Sequence, residues 1–97
     1  MFEITYSRDG VIRARFTVPA VAAGVVGVYR DGVPYRPDGA AICAALPYHY
    51  RGAFERAALW LGRNSDGCNV FRADLWDSRR KRPLGSVFAR PVLDSGP

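Results

Sequence analysis

Four adjacent cations, Arg79-Arg80-Lys81-Arg82, are the densest concentration of chemistry in this sequence of 97 residues. They follow Trp76-Asp77-Ser78 and precede Pro83. Guanidinium groups offer phosphates and carboxylates a planar donor fork, and they stack on aromatic rings. Four like charges side by side repel one another, and a polyanionic partner relieves that cost. Carried at the tip of a β-arm, such a run can rest on phosphates, and β-ribbons do enter nucleic-acid grooves. An acidic protein or ribonucleoprotein surface would satisfy the same charges. The plain alternative is a solvated loop in an arginine-rich chain.

A second basic patch is expected on the outer face of an N-terminal hairpin, where Arg13 and Arg15 project together, with Arg72 joining if the last hairpin pairs beside the first. A sheet surface that stacks bases needs exposed aromatics next to its cations. Phe2, Tyr6 and Phe16 fall on the opposite face by alternation, so Trp76, on the face of Val70 and Arg72, is the one aromatic expected there.

Catalytic and metal chemistry is poorly supplied. His49 is the only histidine, and Cys43 and Cys68 are the only cysteines, with no CxxC spacing. A nucleophilic set of Cys43, His49 and Asp66 lacks any spacing that brings the groups together, and zinc on Cys43, His49 and Cys68 lacks a fourth ligand. Free buried thiols are expected rather than a Cys43–Cys68 disulfide. The aspartates fall in turn and cap positions, and the glycines show no phosphate-loop spacing. No enzyme, cofactor or metal is expected.

Composition frames these residues. The chain carries 14 basic and 9 acidic residues, a net charge of +5, and only Lys81 among the bases is not arginine. The isoelectric point near 9.8 suits a polyanionic partner. The longest apolar stretch, Val18 to Val28, is too short to span a bilayer, and the start Met1-Phe2-Glu3-Ile4 lacks a signal layout, so a cytoplasmic location is expected.

The elements that must position these groups read as α+β: a single domain over 1–90 with a flexible tail over 91–97. Phe2, Ile4 and Tyr6 alternate with polar residues, as do Ile12, Ala14, Phe16 and Val18. Keeping both apolar sets on one face predicts a three-residue Arg8-Asp9-Gly10 loop with a G1 bulge. That register pairs Tyr6 with Ile12, Ile4 with Ala14 and Phe2 with Phe16, and sets Glu3 opposite Arg15.

Pro19 to Gly24 reads as a loop or one helical turn, Val25 to Tyr29 as a strand and Val33 to Arg36 as a short edge strand. Arg30-Asp31-Gly32 repeats the first turn chemistry between them. Asp38 caps a helix running to Leu46, and Pro47 ends it or opens the next. Tyr50, Phe54, Ala57, Ala58 and Leu61 make a helical stripe over 48–61, with Leu59 outward and Gly62 as C-cap. Strands follow over Cys68–Trp76 and Leu84–Ala89. The expected architecture is an antiparallel or mixed sheet of hairpins with the helical segment on one face.

The function expected from these features is a small binding or inhibitory module docking through arginine-rich loops. Its size class is that of phage and mobile-element products, some of which block host nucleic-acid machinery, as anti-CRISPR proteins do. Direct nucleic-acid binding by Arg79–Arg82 and an assembly role are the alternatives.

Overall fold

The computed structural model describes residues 1–23, 27–30, 33–63, 65–67 and 69–92. Alternation of apolar and polar residues builds its main sheet from strands β1 (Phe2–Arg8), β2 (Val11–Val18), β6 (Trp60–Arg63), β7 (Asn69–Asp77) and β8 (Arg82–Pro91). Their order is β2-β1-β8-β7-β6, antiparallel throughout. The C-terminal strand β8 thus lies at the centre, between β1 of the N-terminal hairpin and its own hairpin partner β7. A second, three-stranded sheet joins β3 (Ala20–Ala22), β5 (Val33–Pro37) and β4 (Val28–Arg30), in that order. Helices α1 (Gly39–Ala45) and α2 (Tyr48–Arg56) complete the α+β domain.

Inward residues of the large sheet, among them Phe2, Ile4, Tyr6, Phe71, Ala73, Leu75, Val87 and Ala89, meet Ile42, Leu46, Ala53 and Phe54 of the helical segment in one core. The Phe2 and Phe71 rings pack edge to face at 5.8 Å. No described polar or charged residue is buried there. Asp38 caps α1 as expected, its carboxylate accepting from the N–H groups of Ala40 and Ala41. Arg51 of α2 reaches back to donate to the carbonyls of Leu46 and Ala44, at 3.1 and 3.0 Å. These bonds satisfy acceptors that the end of α1 leaves open. Pro47 precedes the first turn of α2, where its missing N–H costs nothing.

Several expectations are corrected. The first hairpin closes through a two-residue Asp9-Gly10 turn, with φ of 54° and 75° as a type I′ turn requires. Tyr6 pairs with Ala14, Ile4 with Phe16 and Phe2 with Val18. The mismatch of faces is absorbed inside β2, where Arg13 is an extra residue between the Ser7–Ile12 and Tyr6–Ala14 pairs. Glu3 therefore stands opposite Thr17, and its ion-pair partner is Arg90 of β8, at 2.9 Å.

The expected Pro19–Gly24 loop contains β3; of the expected strand Val25–Tyr29, Val28 and Tyr29 fall in β4, Gly27 precedes it, and Val25 and Val26 lie outside the described residues. Strand β5 is central in its sheet rather than an edge. Pro34, which has no N–H to donate, still contributes its carbonyl, which accepts the Ala23 N–H at 2.9 Å. The turn at Asp31-Gly32 and the tail beyond Val92 lie outside the described residues.

The long helix ends early. Ala57 caps α2, and Trp60–Arg63 crosses to pair with β7, so Gly62 is a strand residue. Ala57, Leu59 and Leu61 pack partly buried against the core while Ala58 and Trp60 are exposed. That is strand alternation, hidden in the sequence because both its faces are apolar; Leu59 turns inward.

Candidate nucleic-acid interface

The basic run closes the β7–β8 hairpin, with Ser78 to Lys81 as its turn and Arg82 opening β8 opposite Asp77. Asp77 organises the tip. Its Oδ1 accepts the backbone N–H groups of Arg79 and Arg80, at 3.0 and 3.1 Å. The Arg80 bond above all, then the Arg79 bond and the positive charges of Arg80 and Arg82, hold its carboxyl below the usual range. Lys81 completes the reversal in the left-handed region, at φ 51°. Arg79, Arg80, Lys81 and Arg82 are all exposed, and none forms an ion pair with a described carboxylate. Of the arginines on the sheet, half-buried Arg72 and exposed Arg90 are paired with Asp74 and Glu3, whereas exposed Arg13 and Arg15 form no ion pair with a described carboxylate.

Trp76 sits at the base of this arm, 52% exposed and opposite Pro83. Residue Leu84 is extra in β8 at this point, since Leu75 pairs with Gly85. The bulge lets Leu84 turn into the core and lets its carbonyl accept the buried Tyr6 hydroxyl at 2.7 Å. Gly85, at φ 124°, lies so close to the Ser7 carbonyl that a Cβ would strike it. Burial, reinforced by the Tyr50 hydroxyl, pushes the Tyr6 hydroxyl up to about 12.

Across the outer face, strand pairing puts Trp60, Arg72, Phe88, Thr5 and Arg15 in one row. The Arg72 guanidinium lies over the Phe88 ring at 5.2 Å. Asp74 fixes it, accepting from Arg72 Nε at 2.9 Å and from the Ser86 hydroxyl at 2.8 Å. The Ser86 bond first, then Arg72, lower the Asp74 carboxyl. Trp60 is 49% exposed and folds back over Gly62, where a Cβ would come within 2.5 Å of the indole. The benzo edge of the indole thereby abuts the backbone.

The structure gathers Arg72, Arg15 and Trp76 on this face, as the sequence implied. Arg13 is exposed but stands outside the paired register. Two aromatics were missed. Phe88 was legible, because Val87 and Ala89 are inward and the residue between them must point out. Trp60 was not, because its segment reads as helix.

The thiol of Cys43 donates to the Glu55 carboxylate at 3.6 Å and to the Arg51 carbonyl at 3.8 Å. Burial and the charge of Glu55 raise its pKa, the reverse of what a nucleophile needs. Cys43 is a free thiol, half-buried rather than fully buried, and Cys68 lies outside the described residues. Among the described residues no three His, Cys, Asp or Glu side chains cluster. A shallow cavity of about 340 Å³ opens between α1 and α2, lined by Arg36, Cys43, Phe54, Glu55 and Leu59 among others. No described helix is long and apolar enough to cross a membrane. No protein-family model, curated protein or solved structure matches the chain.

Proposed function

We propose that this chain is a non-enzymatic nucleic-acid-binding module whose phosphate contacts are made by the tip of the β7–β8 arm. One observation carries the reading: three cations lie in the turn and a fourth, Arg82, opens β8 beside them, and the nearest acid, Asp77, is engaged with backbone N–H groups instead of their side chains. Their charge is thus left for an external polyanion. Phosphates fit the forked geometry of Arg79, Arg80 and Arg82, while Lys81 adds a point charge.

Fluorescence polarisation with labelled duplex DNA at 50 and 200 mM salt tests this. If four phosphates are engaged, log K falls against log salt with a slope of about −3.6, roughly a hundredfold between the two conditions. Replacing Arg79, Arg80, Lys81 and Arg82 by Ser removes most of that affinity. Weak, salt-insensitive signals for both proteins would sink the proposal and turn attention to an acidic protein partner, sought by pull-down after nuclease treatment.

A further inference from the structure

The outer face of the five-stranded sheet has no role in phosphate contact at the tip, yet it is unusual for a solvent face. Trp60 and Trp76 are both about half exposed on it. Between them Arg72 lies over Phe88, locked by Asp74. We infer that this face is a platform for single-stranded nucleic acid: bases stack on Trp60, on the Arg72 guanidinium plane and on Trp76, while Arg15 and the arm tip hold the backbone.

Three features support that occupant over others. The stacking surfaces are pre-set: the Trp60 indole is buttressed along one edge by Gly62, and Arg72 is fixed in plane by a carboxylate and a ring. Bases stack on aromatic rings and on guanidinium planes alike. Spacing also fits, because five strands at about 4.8 Å span about 19 Å from β6 to β2, and Trp76 lies four residues, about 13 Å, along β7 from Arg72. RNA-binding sheets of similar breadth stack two or three bases. Finally, charge is complementary. The acids of this face, Glu3 and Asp74, are each neutralised by an arginine, leaving Arg15 and the tip to face a polyanion.

A paired duplex cannot lay its bases on a sheet, so the inference separates single strands from double. It rests on the phosphate-binding reading, and its test keeps the two apart. Wild type, a Trp60→Ala/Trp76→Ala double variant, a Trp60→Phe variant and a Gly62→Ala variant are titrated with four probes. These are oligothymidylate and oligouridylate of about 12 nucleotides, a duplex of that length, and inorganic polyphosphate, which has no bases.

The expected result is quenching of tryptophan fluorescence by both oligonucleotides and a single-strand affinity reduced at least about tenfold in the double variant. Polyphosphate affinity stays unchanged. Trp60→Phe retains most of the binding, and Gly62→Ala, which lifts the indole without removing it, loses several-fold for single strands only. A preference for one of the two oligonucleotides identifies DNA or RNA as the natural source.

Equal single-strand and duplex affinity, unaltered by the double variant but lost when Arg79, Arg80, Lys81 and Arg82 are replaced by Ser in the same titration, overturns the platform and leaves phosphate binding intact. Absence of binding to all four probes overturns both. A concentration-dependent doubling of mass that the double variant abolishes also overturns it, making the face a contact between copies of this chain.

Discussion

The two faces of the five-stranded sheet share the same backbone and differ in what their side chains are for. Along β7, Phe71, Ala73 and Leu75 are buried while Arg72, Asp74 and Trp76 point the other way. Along β8, Val87 and Ala89 are buried on either side of Phe88. The inner face carries its weight through burial and close packing. The outer face holds charges and rings in fixed relation without covering them. Burial of apolar surface is what stabilises a fold, and an exposed ring contributes little of it. Residues of the outer face are therefore free to be chosen for contact with something else.

The sharpest way to break this contrast is to truncate one residue from each face. Phe71→Ala should lower unfolding free energy by about 3–5 kcal/mol in denaturant titration. Trp76→Ser should stay within about 0.5 kcal/mol of wild type. Equal losses would mean that both faces are structural. Gly85→Ala ranks next, at about 2–3 kcal/mol, because φ of 124° and the approach of the Ser7 carbonyl leave no room for a Cβ.

Titration separates the faces again. Tyr6, inside, has its pKa raised from 10 to about 12, so its contribution is complete below about pH 10 and is lost as pH climbs towards 12. Asp74, outside, has a lowered pKa. Its contribution is present above the ordinary carboxylate range and disappears as pH falls through the lowered value. Melting curves across both ranges should show an alkaline loss that Tyr6→Phe abolishes and an acid loss that Asp74→Asn reduces.

Two finer substitutions sharpen the view of the charges. Lys81→Gly relieves the left-handed backbone and should leave stability unchanged or raise it by up to about 1 kcal/mol. It should also make the salt slope of binding shallower by about 0.9, dissociating conformation from charge. Glu3→Gln should cost no more than about 0.5 kcal/mol by calorimetry, since the Arg90 side chain of that pair is mostly solvated.

How far the sequence led depended on how one-sided each segment was. Strands whose alternation sets a wholly apolar inner face against a face carrying charges or polar groups, such as Phe2–Arg8 and Asn69–Asp77, are readable with their inward sets, and Asp38 announces its helix. Segments apolar on both faces were ambiguous. Ala57–Leu61 satisfies a helical stripe and a strand alternation equally, and the pairing of Trp60–Arg63 with β7 decided for the strand. The hairpin register failed for another reason. A longer loop would preserve the alternation, whereas the chain keeps the favoured two-residue turn and inserts a bulge. Among the site residues, the basic tip was placed correctly because both flanking strands were recognised. The aromatic part of the outer face stayed incomplete once Trp60 had been assigned to a helix.

The bulge at Arg13 has a second consequence. Strand β2 is the last in its sheet, with one row of backbone N–H and C=O groups unpaired by any other strand of that sheet. A straight, apolar border of that kind, with Val11 and Ile12 half exposed upon it, would be a template for another chain to add itself and propagate. One extra residue bends the border and interrupts its regular hydrogen-bonding repeat, while Arg13 and Arg15 place charge along it. Removing that residue should straighten the border and favour the addition of another chain to it.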